Sequence, residues 1–231
     1  MNKVKNVVIS DIRLYKYKYD YNKNDLTEVI YNKKDLNIII HRIVMKLREN
    51  NFSIGSSDHL YICLCDGPKE FIENYNIDNS YFTWIKYCPI KINEELYDNL
   101  DNEKYYMKIL DEIQNVLLNK FSNNEDQKNI IINSFEDAIT NKENMLMKYK
   151  EKISKTRKAV IYLRLLDSGM YYPLLKVYDM NNNTLFIKDL PQSSIDLNQY
   201  GQIQLSSTRV TIVPRNNAFS TSLTKLIFNY G

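Results

Sequence analysis

Two stretches with helical spacing separate two strand-rich parts of this chain. Residues 101–121 and residues 125 to about 153 repeat apolar side chains every three or four positions, which predicts two long amphipathic helices. The short link between them favours antiparallel packing. From residue 158 onward the apolar period becomes two, which predicts a β-meander. Because strands and helices come in separate runs, we predict an α+β fold with a mostly antiparallel sheet and the antiparallel helix pair inserted before the C-terminal meander.

The part before the helix pair predicts one further helix and two central strands. An apolar stripe over residues 35–49 indicates a helix with Asp35 as its N-cap. Apolar runs at 59–65 and 81–92 indicate strands, the second interrupted at Pro89.

The length and hydrophobic content limit the number of domains. The chain has 231 residues, 44% of them hydrophobic, which suffices for one large domain or two small ones. No repeat and no flexible linker divides it. We expect a single α+β domain over residues 1–231, with Thr156 marking the natural point of subdivision.

The strongest alternation in the chain is the tyrosine-rich segment 14–21. It places four tyrosines on one face of a strand, namely Tyr15, Tyr17, Tyr19 and Tyr21. Half-buried sheet packing is the ordinary interpretation. A stacking platform for single-stranded nucleic acid is disfavoured, because Lys16 and Lys18 point to the opposite face. Tyrosine is enriched at binding hot spots, so we predict these four residues as a partner-binding surface.

Composition excludes several classes of function. Only 5 glycines are present, and neither GxGxxG nor GxxxxGK[ST] occurs, so no nucleotide cofactor is expected. The net charge of +3 is spread along the chain, which disfavours a dedicated nucleic-acid binder. No signal sequence and no long apolar run appears, and the 3 cysteines do not suggest a disulfide framework. We therefore expect a cytoplasmic protein without a membrane partner. The abundance of Asn, Ile, Lys and Tyr is typical of an AT-rich genome.

The histidines and cysteines offer one metal candidate. His59, Cys63 and Cys65 share one face of the predicted strand, and Cys88 could complete a tetrahedral set. Structural zinc sites use C-x2-C turns that wrap the ion, and C-x-C along a strand has a different geometry. We therefore expect buried core residues and no metal. Nothing pairs a cysteine with His41 or His59 for nucleophilic catalysis, and no G-x-S-x-G motif occurs.

A divalent-metal nuclease is the main enzymatic alternative. Its candidate acids lie at strand ends: Asp58, Asp66 with Lys69, and Glu94 with Glu95. The usual spacing of an acid and a lysine two residues apart on a buried strand is missing. We therefore expect no catalysis.

Two arginines, Arg209 and Arg215, flank the strand 210–213. Arginine suits bidentate contacts with carboxylates, although an ordinary strand-flanking role is the simpler interpretation.

The order of several segments resembles a family of bacterial immunity proteins from polymorphic-toxin and contact-dependent inhibition systems. The similarity extends from about Asp58 to Phe219. The segments that carry it are Trp84-Ile85-Lys86-Tyr87, residues 101–117, residues 160–166, Gly201-Gln202-Ile203 and residues 210–219.

This resemblance implies a cytosolic antidote that binds a cognate toxin domain and has no catalysis of its own. The mild positive charge departs from the acidic character of many such proteins, so long-range steering toward a strongly cationic toxin is not expected. Two other hypotheses stay open: a divalent-metal nuclease or related defence effector, and a structural subunit of a larger assembly.

Overall fold

The computed structural model describes residues 6–75, 82–193 and 197–230. The predicted α+β class with mostly antiparallel sheets is confirmed. The chain divides into two compact units, unit 1 over residues 1–140 and unit 2 over residues 141–231. The division therefore comes before Thr156, because the strand preceding Thr156 pairs with the strand that follows it. The single-domain organisation stays a prediction.

Unit 1 contains a four-stranded mixed sheet. Its strands are β1 (Asp11–Asp20), β2 (Asp25–Val29), β3 (His59–Cys65) and β4 (Ile85–Lys91), in the order β2-β1-β3-β4. The β1–β2 hairpin is antiparallel, whereas β3 runs parallel to both β1 and β4. Pro89 does not interrupt β4, because β4 is an edge strand, where the missing N–H of proline is tolerated. Tyr81 of the predicted strand lies outside the described residues.

The parallel pairs require helical crossovers, and the chain supplies them. Helix α1 (Lys34–Glu49) connects the β1–β2 hairpin to β3, and α2 (Lys69–Asn74) follows β3. The predicted N-cap was wrong, since Lys33 occupies that position and Asp35 lies in the first turn. There a carboxylate still favours the helix, through the partial positive charge of its amino end.

Three more α-helices lie in the described part of unit 1. They are α3 (Glu94–Asp98), α4 (Tyr106–Val116), which continues as a π-helical turn over Leu117–Phe121, and α5 (Glu125–Asn141). The two predicted long helices therefore exist, and their antiparallel packing stays a prediction. The extension of the second to residue 153 was wrong. Lys142 adopts a left-handed φ of 47°, which terminates a helix.

Unit 2 consists of two antiparallel sheets. One contains β5 (Met147–Ile153), β6 (Arg157–Leu163), β7 (Leu174–Asp179) and β8 (Thr184–Asp189) in sequential order. The other contains β9 (Gln202–Leu205), β10 (Arg209–Val213) and β11 (Leu226–Asn229), with β10 in the centre. The predicted meander is confirmed and gains β5 as an additional strand.

The core of unit 1 lies on both faces of its sheet. Ile12 and Leu14 are buried on the face of β1 opposite the tyrosines, and α1 packs against β1. In unit 2 the buried residues come from the central strands, such as Val160, Leu175 and Ile212. Among the described residues, no helix combines the length and the apolar character needed to cross a membrane.

Candidate aromatic binding surface

Tyrosine rings from three parallel strands lie side by side on one face of the unit 1 sheet. This aromatic face consists of Tyr15 and Tyr17 from β1, Tyr61 from β3 and Tyr87 from β4. The ring centroids of Tyr15 and Tyr61 are 5.2 Å apart, and those of Tyr61 and Tyr87 are 5.3 Å apart. Parallel pairing of Tyr61 with Tyr87 brings these rings together. Tyr61 is buried at the centre, and the other three are half-buried around it.

The array continues at the amino-terminal end of the strands through more exposed rings. The His59 ring lies 4.5 Å from that of Trp84, and Trp84 lies 5.9 Å from Phe82. Trp84 and Phe82 are 44% and 52% exposed, which is high for large apolar side chains. The guanidinium of Arg13 lies 5.5 Å from the centroid of Tyr61, within cation–π distance. This end of the sheet therefore presents aromatic and arginine side chains to solvent.

A hydrogen-bonded trio fixes the orientation of His59. Its Nδ1 lies 2.7 Å from Asp58 Oδ1, and Ser10 Oγ donates to Asp58 Oδ2 at 3.2 Å. Partial burial opposes ionisation of Asp58, but the His59 and Ser10 contacts outweigh it and lower the pKa of the carboxyl. Asp58 stands between the other two, whereas in a hydrolytic triad the histidine holds the middle position. The trio therefore holds the ring against Trp84 and lacks the order of a nucleophilic triad.

Helix α2 covers the opposite end of the face. Tyr19 packs edge-on against Phe71 with ring centroids 5.0 Å apart, and Phe71 lies 5.3 Å from Tyr75. The backbone N–H of Tyr19 donates to Asp66 at 2.7 Å. Tyr19 is only 8% exposed and belongs to a cluster with Leu26, Cys63, Cys65 and Ile72. This end is core, and it anchors α2 on the sheet.

The structure thus gives the four predicted tyrosines different environments. Tyr15 and Tyr17 lie half-buried on the aromatic face, and Tyr19 is part of the core. Tyr21 follows the end of β1 and is 78% exposed, with its ring 4.8 Å from that of Tyr19. The partner-binding role of these residues stays a prediction.

The three cysteines are buried core residues, as the apolar strand pattern predicts. Burial raises the pKa of the Cys65 thiol to about 12 and also raises the pKa values of Cys63 and Cys88. These thiols remain protonated at neutral pH, which makes them poor nucleophiles. Within residues 6–75, 82–193 and 197–230, no group of three or more His, Cys, Asp or Glu side chains is placed to hold a metal ion.

The acids considered for a nuclease do not all converge. Asp58 and Asp66 lie just beyond opposite ends of β3, and the rise of about 3.3 Å per residue of an extended strand separates their Cα atoms by roughly 26 Å. Glu95 accepts hydrogen bonds from Tyr105 at 2.9 Å and from Lys108 at 3.3 Å, and these contacts lower the pKa of its carboxyl. Asp58 is therefore separated from Asp66 by the whole length of the sheet.

The electrostatics of the aromatic face combine neutral phenols with flanking carboxylates. Burial is the largest cause raising the pKa values of Tyr17, Tyr61 and Tyr87, so these hydroxyls stay protonated at neutral pH. Tyr17 donates to Glu28 at 3.4 Å at one end, and Asp11 binds Arg13 at 2.6 Å at the other. Such a surface suits apolar, aromatic and cationic side chains of a partner and disfavours a phosphate backbone.

Sequence reasoning found Tyr15 and Tyr17 but missed Tyr61, Tyr87 and Trp84 as parts of the same surface. Parallel pairing of β1, β3 and β4 unites them, and no sequence motif signals that pairing. The clustering of aromatic residues within residues 81–87 was the available hint. No protein-family model, curated protein or solved structure matches the chain.

Proposed function

We propose that this chain is a cytoplasmic immunity-type protein that binds a toxin domain through its aromatic face and blocks it. The observation that carries the proposal is the row of half-buried tyrosines that ends in the exposed rings of Trp84 and Phe82 beside Arg13. Tyrosine, tryptophan and arginine are the residues that most often dominate the energy of protein–protein interfaces.

The position of this surface in the fold supports a protein partner. Sheets with parallel strands are usually covered on both faces. On the aromatic face α2 packs over Tyr19, while Tyr15, Tyr17 and Tyr87 keep part of their surface accessible. Tyrosine offers large contact area with little loss of side-chain entropy, so a partner gains binding energy here at low ordering cost.

The charges around the rings favour a protein over a nucleic acid. Asp11, Glu28 and Asp58 stand at the two ends of the face, and Arg13 is held by Asp11. A single-stranded nucleic acid needs cations beside the stacking rings, and these carboxylates would repel its phosphates. We therefore expect the partner to present an apolar or aromatic anchor flanked by lysine or arginine.

The immunity role rests additionally on the resemblance of residues 58–219 to immunity proteins. Proteins of that kind act by occupying the toxin, which agrees with a surface made of contact residues. The overall charge of +3 predicts little long-range steering, so recognition would depend on contacts at the face itself.

The test is co-expression with the product of the reading frame immediately upstream in the source genome. Growth and co-purification are measured for the wild type and for Tyr15→Ala, Tyr17→Ala and Trp84→Ala. Each substitution should weaken binding roughly 10- to 30-fold, or about 1.4–2 kcal/mol, and reduce protection in proportion. Far-UV circular dichroism verifies that each variant is folded.

A matched control is available in unit 2. Tyr178 is also a half-buried sheet tyrosine, with Lys158 Nζ 4.9 Å from its ring, and Tyr178→Ala should leave binding unchanged. Equal losses for Tyr178 and the face variants would contradict the assignment of the surface. The immunity role would be refuted if the upstream product were harmless. It would also be refuted if this protein cleaved nucleic acid with Mg²⁺, and that result would favour the nuclease.

A further inference from the structure

A β-bulge in unit 2 brings together two side chains that a regular strand would separate. The register between β5 and β6 shifts between Lys148 and Lys150, so that Tyr149 is an extra residue without a cross-strand partner. Neighbouring residues of a regular strand point to opposite faces, and a bulge re-aims them. Here Lys150 Nζ lies 5.4 Å from the centroid of the Tyr149 ring.

Arg215 reaches the same tyrosine from another part of unit 2. Its Nη2–H donates a hydrogen bond to Tyr149 Oη at 2.6 Å. The backbone N–H of Arg215 donates to the carbonyl of Asn198 at 2.8 Å, which fixes the chain just after β10. Lys150 Nζ donates to the carbonyl oxygen of Gly201, immediately before β9. Both cations thus contact the same tyrosine, Arg215 at its hydroxyl and Lys150 at its ring, and each is held by hydrogen bonds.

The arrangement concentrates positive charge in a partly buried position. Lys150 is half-buried and Arg215 is exposed. Burial, followed by the charge of Arg215, lowers the pKa of Lys150, and among the described residues no carboxylate contributes to that shift. Two like charges beside one phenol repel each other, and an anion that contacts both would relieve that repulsion. Bulges are frequent beside functional sites, where they re-aim a side chain.

We propose that Tyr149, Lys150 and Arg215 form a binding site for a phosphate group. A phosphate carries roughly two negative charges at neutral pH, which matches the two cations. The guanidinium of Arg215 has further N–H donors beyond the one used by Tyr149, and arginine recognises phosphate oxygens bidentately. Lys150, whose Nζ lies 5.4 Å from the centroid of the same ring, supplies the second charge. The site is independent of the aromatic face, because all its residues belong to unit 2.

The experiment measures thermal unfolding of the full chain with increasing inorganic phosphate. Glycerol 3-phosphate is the second probe, and sodium chloride and sodium acetate at equal ionic strength are the reference salts. For the wild type, phosphate should raise the unfolding midpoint with the logarithm of its concentration above the dissociation constant, by about 3–6 °C at tenfold excess. An effect of glycerol 3-phosphate equal to or larger than that of phosphate would identify phosphomonoesters as the ligand class.

Substitutions at the three residues then locate the effect. Lys150→Met and Arg215→Gln should abolish the phosphate-dependent rise, and Tyr149→Phe, which removes only the hydroxyl that holds Arg215, should reduce it. Lys152→Gln is the matched control, because Lys152 is an exposed lysine of the same strand, and it should respond like the wild type. If Lys150→Met does not fold, the phosphate-dependent rise measured for Arg215→Gln and Tyr149→Phe tests the location of the site.

Three results would overturn the proposal. An equal rise with chloride would mean general charge screening, and an equal rise with acetate would mean a site for carboxylates. A phosphate response that persists in Arg215→Gln and Tyr149→Phe would place the ligand elsewhere.

Discussion

Among the described glycines, Gly201 approaches neighbouring backbone atoms most closely, and this makes a sharp prediction. The N–H of Gly201 donates to the carbonyl of Val213 at 2.9 Å, and its carbonyl accepts from Lys150. A Cβ atom at this position would lie 2.4 Å from the backbone nitrogen of Arg215 and 2.5 Å from the carbonyl carbon of Pro214. These are main-chain atoms, so no side-chain rotation can relieve the overlap. Gly201→Ala should therefore force the chain around Pro214 away from β9.

The size of the effect follows from this geometry. Ordinary contact begins at 3.4 Å, so a separation of 2.4 Å requires a backbone shift of about 1 Å. Overpacking of this kind costs about 1–3 kcal/mol, and a weakened hydrogen bond to Val213 or Lys150 adds about 0.5–1.5 kcal/mol. A loss of about 3 kcal/mol lowers the unfolding midpoint by about 12–24 °C if unit 2 unfolds alone, and by about 6–12 °C if the whole chain unfolds together.

Thermal and urea unfolding of Gly201→Ala measure this loss, with Gly169→Ala as the control. Gly169 has open space around its Cα, and its φ of 86° makes alanine unfavourable by about 1–2 kcal/mol through backbone conformation alone. Gly201→Ala should be the more destabilising of the two. It should also weaken the response to phosphate, because Arg215 moves with Pro214. A loss no larger than that of Gly169→Ala would refute the reasoning from steric overlap.

Three further predictions concern unit 1. The Cys63 thiol is fully buried and protonated. At mildly alkaline pH it should react with a thiol reagent only as fast as the folded chain opens to expose it. A fast reaction of the folded protein would contradict this buried environment. Burial lowers the pKa of His41 below the ordinary 6.5, so the unfolded chain binds the proton more readily than the folded chain does. The free energy of unfolding should therefore fall as the pH drops below about 6.5. Urea midpoints measured across this pH range should fall less steeply for His41→Gln than for the wild type. Lys46 Nζ lies 2.9 Å from carboxylate oxygens of both Glu49 and Asp137. Lys46→Met leaves these partly buried carboxylates without the ammonium, so it should lower the free energy of unfolding by about 2–3 kcal/mol. Adding Glu49→Gln to Lys46→Met removes one of the two charges and should restore part of that loss.

Periodicity predicted much of the fold and failed where two periods coincide. The α+β class, α1 and the C-terminal meander follow from clear spacings of three to four or of two residues. The segment now seen as β5 was interpreted as helix because Met145, Tyr149 and Ile153 recur every four residues. A spacing of four fits one face of a helix and also one face of a strand, because it is a multiple of two. Pairing with β6 decides in favour of the strand.

The aromatic surface was only partly predictable for a related reason. The alternation within β1 showed that Tyr15 and Tyr17 share a face, because the face to which a strand residue points follows from the local sequence. The addition of Tyr61 and Tyr87 depends on parallel pairing across long sequence separations. The burial of Tyr19 depends on α2, which lies some fifty residues later in the chain. Local patterns therefore identified the strand, and non-local packing determined which of its tyrosines remain accessible.

The opposite electrostatic characters of the two surfaces make their roles separable. The aromatic face carries neutral phenols between carboxylates, and the Tyr149 site carries two cations without a contributing acid. A partner that binds the first surface gains apolar contact area, whereas an anion at the second gains charge neutralisation and should lose affinity as salt rises. If Arg215→Gln weakens binding of the proposed partner as Tyr17→Ala does, and added phosphate competes with that partner, then the ligand of the cation pair is a phosphorylated group of the partner itself.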